Sequence, residues 1–274
     1  MSGRLPDGAC DAHCQVFGPA AEFSYAVPNP PADAPKAAMF EKHGALGFDR
    51  GVLVQPTCHG GDNAAMLDAI AAGGGRYRGV AVVPEAVTAE EIATLHQAGV
   101  RAIRLNFVPQ IGPSPSRSTI LRWQQLIGVH GWSFVAHVPA ADLPSLSDDL
   151  AAIDLEMAID HVGRINASNG GIEQEPFQRL LAFARRPNIW VKLSATDRIS
   201  VAGPPYDDLV PFIAELASVQ PDRLLWGSNW PHPNLKTAPP DEEPLLETLS
   251  GALGGEALLK AVLVDNPERL YFKY

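Results

Sequence analysis

Short apolar runs alternate with longer amphipathic stretches along the whole chain, and this alternation limits the possible folds more than any other feature. The short runs are largely apolar throughout, which is typical of strands covered on both faces of a parallel sheet. Apolar residues at helical spacing occupy the stretches between them. The eight predicted strands span residues 9–16, 50–55, 79–83, 100–107, 133–138, 156–160, 189–193 and 223–227, with helices over 63–72, 89–98, 117–129, 175–185 and 207–219.

Eight strands with helices between them predict an α/β protein, a (β/α)8 barrel of the TIM type. We expect one domain over residues 1–274, because α/β barrels of this size are common as single units. A doubly wound open sheet is the alternative. Against it, the first strand is followed by the residues VFGP at 16–19 and not by a glycine-rich phosphate-binding turn.

The charge of the chain restricts its partners. A formal net charge of -10 argues against a nucleic-acid or anionic-membrane surface, which would need a basic face. The first residues lack the apolar core of a signal peptide, and no run approaches the roughly 20 apolar residues of a membrane span. Cys10, Cys14 and Cys58 show no paired spacing. We therefore expect a cytoplasmic protein with reduced thiols, no nucleic-acid partner and no membrane partner.

Polar side chains collect where the predicted strands end, which is where barrel enzymes hold their chemistry. Five of the eight histidines lie at or just after a strand end, and arginine and amide side chains accompany them. The convergence of so many on one rim predicts a functional site there. These residues are His13, His59, His137, His161, His232, Arg104, Asn106, Arg198 and Asn229.

The residues of the first strand indicate whether the chain can hold a catalytic metal. His13 and Gln15 are two residues apart and are predicted to point inward together. Metal hydrolases use a His-x-His pair in this geometry, with histidines of strands five and six and a carboxylate of strand eight. Here Gln15 and Asn229 are neutral amides, so we expect no metal and no other cofactor. A zinc site formed by His13, His137 and His161 is the weaker alternative.

Five motifs near the strand ends form a recognisable set: DAHCQVFGP at 11–19, QPTCHG at 55–60, RAIRLNF at 101–107, IDHVGR at 159–164 and WGSNWPHPN at 226–234. In this order they resemble the amidohydrolase superfamily, of the amidohydrolase 2 type. Within it, the chain is similar to the 2-pyrone-4,6-dicarboxylate lactonases, the related sugar-acid lactonases and the D-galactarolactone isomerases. The similarity covers nearly the whole chain.

This resemblance implies an enzyme that opens a lactone without a metal. It implies that His13 lies near the reacting carbonyl and that His161 polarises it. We expect His137 and Asn229 to complete the catalytic group, with Asn229 as an orienting amide. The resemblance also implies that arginines grip substrate carboxylates, which suits the bidentate guanidinium group. Asp160 is expected to be structural. The implied substrate-binding residues are Arg104, Arg198, Tyr25, Thr57, His59, Gln15, Asn106 and His232.

Two departures from the family pattern leave the reaction open. The hydrolytic members carry an aspartate where this chain has Asn229, and a histidine where it has Gln15. The leading hypothesis is a metal-independent hydrolase of a small carboxylated lactone, either a sugar-acid lactone or an intermediate of aromatic degradation. The alternatives are a lactone isomerase that moves the acyl group within one sugar acid, a catalytically silent carboxylate-binding homologue, and a metal-dependent decarboxylase.

Overall fold

Eight parallel strands follow one another around a barrel in the order of the sequence. The computed structural model describes residues 5–235 and 238–273. Every predicted strand range overlaps an observed strand, so the predicted (β/α)8 barrel is confirmed. The strands are β1 (Cys10–Cys14), β2 (Arg50–Val54), β3 (Tyr77–Ala81), β4 (Val100–Asn106), β5 (Ser133–His137), β6 (Met157–Ile159), β7 (Ile189–Ser194) and β8 (Leu224–Gly227).

Helices lie between the strands and cover the outside of the barrel. The five predicted helices are present to within three residues at each end, and a capping box of Thr88 and Glu91 starts one of them. Four further helices were not predicted. The helices are α1 (Lys36–Leu46), α2 (Ala64–Ala72), α3 (Ala89–Gln97), α4 (Arg117–Gly128), α5 (Ser147–Ala151), α6 (Glu175–Ala184), α7 (Val210–Val219), α8 (Glu242–Leu253) and α9 (Glu256–Lys260).

The barrel closes between its first and last strands. Just beyond β8, the Asn229 backbone N–H donates to the His13 carbonyl at 2.8 Å, and the Gln15 N–H donates to the Trp230 carbonyl at 2.8 Å. Asp11 supports this join, because its carboxylate accepts hydrogen bonds from the backbone N–H groups of His13 and Ser228. Two predicted site residues, His13 and Asn229, therefore lie on the closing seam, which is the hydrogen-bonded junction of β1 with β8 and the residues after it.

A bulge in β1 decides which way His13 points. The pairing of β1 with β2 shifts between Asp11 and Cys14, so that one extra residue stands on the β1 side. Ala12 packs with the apolar residues inside the barrel, and strict alternation would turn His13 outward. The bulge instead brings His13 to the interior, where its ring contacts Asp160.

No helix in the described part of the chain is long and apolar enough to cross a membrane. Cys10, Cys14 and Cys58 are all buried with free thiols.

Gly227 is the tightest point of the closing seam. A Cβ atom there would lie 2.5 Å from the His13 Cβ and 2.6 Å from the His13 nitrogen. Gly227→Ala is therefore expected to lower the free energy of unfolding by about 3 kcal/mol, because a close-packed interior cannot absorb the added methyl group. Gly251→Ala is the matched control: a Cβ at Gly251 in α8 meets nothing within 4 Å, so the change should stabilise by about 0.5–1 kcal/mol. Urea denaturation measures both, and equal stabilities would contradict the expectation.

Candidate active site

A cavity of about 220 Å³ opens at the carboxyl ends of the strands, the edge of a barrel that holds active sites. Several of the predicted residues converge on it from different strands. Its neutral polar lining comes from Gln15, Thr57, His137, His161, Asn166, Asn229 and Asn234.

Three arginines give the cavity its charge. Arg104, Arg164 and Arg198 line it, and none of the described residues lining it is acidic. Arg104 is fixed, since its Nη1 donates to the Gln55 carbonyl at 3.0 Å. Within residues 5–235 and 238–273, no carboxylate lies within ion-pairing distance of Arg164 or Arg198. Arg164 Nη1 faces His137 Nε2 and Arg198 Nη2 donates to the Pro233 carbonyl, so the remaining N–H groups of both are available to an anion, in a chain whose net charge is -10.

A left-handed turn after β6 aims two side chains at the cavity. His161, Val162 and Arg164 have φ values of 55°, 48° and 54°, and Gly163 between them has 61°. Left-handed backbone costs a non-glycine residue about 1–2 kcal/mol. Such strain persists where the surrounding structure enforces it, and it is concentrated at functional sites.

Asp160 lies at the centre of a buried charge cluster beneath the cavity. Its Oδ1 is 3.2 Å from His13 Nδ1 and 3.5 Å from Lys192 Nζ, and its Oδ2 is 3.8 Å from Arg104 Nη2. Burial favours the neutral acid, but the neighbouring His13 and Lys192 hold the pKa of Asp160 well below its usual range. Asp160 is therefore ionised at neutral pH.

This carboxylate fixes the tautomer of His13. An ionised Asp160 can only accept hydrogen bonds, so the proton of neutral His13 resides on Nδ1. The other nitrogen, Nε2, is buried and has no hydrogen-bond partner among the described residues. Burial lowers the pKa of His13, which keeps the ring neutral. His13 Nε2 therefore keeps an unused lone pair, although His13 itself is fully buried and lies behind His161 and not among the residues that line the cavity.

His161 lies on the cavity wall beside His13, with 4.7 Å between the ring centroids. The Ser194 Oγ accepts from the His161 backbone N–H and lies 2.9 Å from His161 Nδ1. This geometry favours donation from the Ser194 hydroxyl to Nδ1, which places the ring proton on Nε2. Burial and the nearby His13 lower the pKa of His161 well below its usual value. His161 is thus a neutral hydrogen-bond donor.

His137 stands between two cations. Its Nδ1 is 3.3 Å from Arg104 Nη2, and its Nε2 is 3.1 Å from Arg164 Nη1. Burial and the Arg104 charge lower the pKa of His137 to about 3. A ring with so low a pKa is uncharged at neutral pH and keeps one N–H, so only one of its two nitrogens can accept a hydrogen bond from a guanidinium group.

Four predicted substrate-binding residues do not line this cavity. His59 uses both ring nitrogens on backbone groups, with Nε2 accepting from the Gly18 N–H and Nδ1 donating to the Ser24 carbonyl. Tyr25 stacks on His59 and donates to Asp33. These contacts hold the irregular segment after β1.

His232 and Asn106 also have other contacts. His232 Nε2 lies 3.0 Å from Glu242 Oε1 in a buried pair. The Asn106 amide nitrogen donates to the Val108 and Gly112 carbonyls, at 3.1 Å and 2.9 Å, and so shapes the loop after β4.

Sequence reasoning missed Lys192 and treated Asp160 as a structural neighbour. The signal for Lys192 was present, because it is the one charged residue among the six of β7. Its side chain is completely buried, which lysine tolerates only beside a partner. The contacts of Asp160 depend on four strands, β1, β4, β6 and β7, coming together, and no local pattern shows that.

Few atoms of the site are available to bind a metal ion. His13, Asp160 and His161 place one ligand atom each within 4.8 Å of one another. Asp160 is already engaged by His13, Lys192 and Arg104, and both nitrogens of His137 face guanidinium groups. Two imidazole nitrogens remain, whereas catalytic zinc sites use three protein ligands. These residues do not fit a tightly held catalytic metal.

Comparisons with known proteins identify relatives that match nearly the whole chain. A 2-pyrone-4,6-dicarboxylate hydrolase of Comamonas testosteroni is 41% identical over 98% of this chain and 92% of its own length. A 4-sulfomuconolactone hydrolase of Rhizobium radiobacter is 37% identical over 99% of this chain and 92% of its own. A crystal structure of an Agrobacterium tumefaciens protein superimposes with a TM-score of 0.85 at 26% identity, covering 98% of this chain and 97% of that one. The amidohydrolase family model matches residues 10–273, and the protein belongs to that family.

Proposed function

We propose that this enzyme hydrolyses a small carboxylated lactone without a metal ion. One observation carries the proposal: an Asp160–His13 pair with a free His13 Nε2 lies beneath a cavity lined by three arginines and by no acidic side chain among the described residues. The pair supplies a neutral base, and the arginines supply the anion site. The two hydrolases reported above act, by their names, on anionic lactones, which supports the substrate class.

Binding rests on the two arginines that have no carboxylate partner. Arg164 and Arg198 both line the cavity, and their remaining N–H groups can donate to a substrate carboxylate. This fixes the ring so that its carbonyl oxygen faces His161. A hydrogen bond from His161 Nε2 then polarises the carbonyl and stabilises the oxyanion that forms.

The proton moves through His13. His13 Nε2 accepts a proton from water as the water oxygen bonds to the carbonyl carbon, and Asp160 stabilises the resulting imidazolium. The tetrahedral intermediate collapses when the ring C–O bond breaks. The imidazolium returns the proton to the departing ring oxygen, giving the open hydroxy acid and neutral His13. Asn229 and Gln15 orient the reacting groups by hydrogen bonds, and His137 positions Arg104 and Arg164.

Isomerisation is the second candidate function. Asn229 occupies the end of the eighth strand, and no carboxylate among the described residues lines the cavity, so only imidazole is available to activate a nucleophile. A hydroxyl within the substrate needs less activation than water, because it is held at high effective concentration. The same His13 and His161 would then move an acyl group between oxygens of one sugar acid.

One experiment distinguishes hydrolysis from isomerisation and tests whether a metal ion is needed. The enzyme is stripped with a chelator, its metal content is measured, and turnover of 2-pyrone-4,6-dicarboxylate, 4-sulfomuconolactone and a sugar-acid lactone is followed in 18O-labelled water. We expect activity within twofold of the untreated enzyme and one 18O atom in the product. Activity that is lost and then restored by zinc would refute the metal-free mechanism. Product without 18O would identify a lactone isomerase. Binding of a lactone without turnover would identify a catalytically silent homologue.

A further inference from the structure

A second cavity, of about 330 Å³, adjoins the active-site cavity. Thr57, Arg104 and Ile111 line both, so the two spaces meet at these side chains. The second cavity lies over the ends of β2, β3 and β4. A ring held by Arg164 and Arg198 can extend a substituent into it past Thr57.

The two cavities differ in charge. Arg104 is the one cation lining the second cavity among the described residues, and Asp160 and the Gln55 carbonyl already engage it. Glu85 adds a negative charge at the far end. An anionic substituent would therefore lose its hydration and gain no free cation. The second cavity favours an uncharged group.

Its walls are mostly apolar. Val82, Val83, Pro113 and Pro115 line it together with Trp123. Trp123 is 5% exposed, and its indole Nε1 has no hydrogen-bond partner in the part of the chain that the structure describes. That nitrogen is itself buried, so what Trp123 offers a ligand in the cavity is apolar ring surface.

The outer wall is held in place by Asn106. Its amide nitrogen donates to the Val108 and Gly112 carbonyls, and its Oδ1 accepts from the Val108 N–H at 3.3 Å. These three bonds fix the loop from 108 to 112, which carries Ile111 to the junction of the cavities. The space exists before any ligand binds, as specific pockets usually do.

We propose that the second cavity is a specificity subsite for an uncharged, mainly apolar substituent on the lactone ring. This inference rests on the proposed function, since it takes the lactone ring to be bound by Arg164 and Arg198. It assigns Asn106 a positioning part, through the loop that it holds.

Two probes that differ by one ring test the subsite: 5-oxotetrahydrofuran-3-carboxylate and its 2-phenyl derivative. Calorimetry measures the dissociation constant of each probe, and kcat/KM is measured wherever turnover occurs. The wild type is expected to bind the phenyl probe on the order of tenfold more tightly, from burial of the phenyl ring. Val82→Phe fills the cavity and should abolish this preference while leaving binding of the smaller probe within twofold. Val129→Phe is the matched control, because Val129 is 81% exposed and distant from the cavity.

Equal affinities of the wild type for the two probes, or failure to bind either, would overturn the subsite, as would a preference that Val82→Phe leaves intact. Failure of the proposed hydrolysis is a separate result, because the ratio of dissociation constants does not require turnover.

Discussion

Asp160→Asn is expected to lower kcat for lactone opening by about three orders of magnitude, with KM changed by no more than a few-fold. General-base catalysis contributes typically 10²–10⁴ in rate, and this variant removes the base without removing the histidine. The carboxamide can donate to His13 Nδ1, which the carboxylate cannot do. The proton of His13 then moves to Nε2, and the lone pair that would accept the water proton is lost. Steady-state kinetics with the turned-over lactone measure the effect.

The matched control is Asp154→Asn, the same substitution on an exposed carboxylate before β6. It should change kcat by less than twofold. A Michaelis constant that rises in step with a small fall in kcat would place Asp160 in substrate binding. A kcat near the wild-type value for Asp160→Asn would exclude the Asp160–His13 pair as the base.

The barrel was predictable because its signals are local. Each strand is a short apolar run, and periodicity marks it without reference to the rest of the chain. Helix α1 shows the limit of this reasoning. Pro35 stands at its N-cap position and makes no side-chain capping hydrogen bond. The sequence therefore lacks the usual capping residue that would predict a helix over residues 36–46.

The site was predictable in part. Strand ends located His13, His137, His161 and Asn229, and each of them contacts or lines the site that the structure describes. The spacing of His13 and Gln15 predicted that the His13 side chain points inward. In the structure this orientation depends on the bulge in β1, which a rule based on spacing does not include. His59 shows the opposite case. It follows a strand end as the others do, yet its ring nitrogens bind the backbone of a neighbouring loop. Only tertiary contacts separate these outcomes.

Lys192→Met is expected to lower the free energy of unfolding by about 3–5 kcal/mol, since it leaves buried Asp160 short of one cation. Lys192 and Asp160 are both completely buried, so water cannot replace the lost charge. Lys260→Met is the matched control. Lys260 pairs with Asp265 at the surface, where both side chains are 55% exposed, and exposed pairs contribute about 0–1 kcal/mol. Chemical denaturation of the two variants gives the comparison.

The same variant should move the pH dependence of catalysis. The Lys192 charge lowers the pKa of Asp160 and also that of His13, so its removal raises both. The rate falls when His13 becomes protonated, and wild-type activity should therefore decline only below pH 6.5, the ordinary pKa of histidine. In Lys192→Met the acid limb of kcat/KM should shift to higher pH. A loss of stability with an unmoved acid limb would limit Lys192 to a structural part, because a packing defect alone leaves the charge on Asp160 and His13 unchanged.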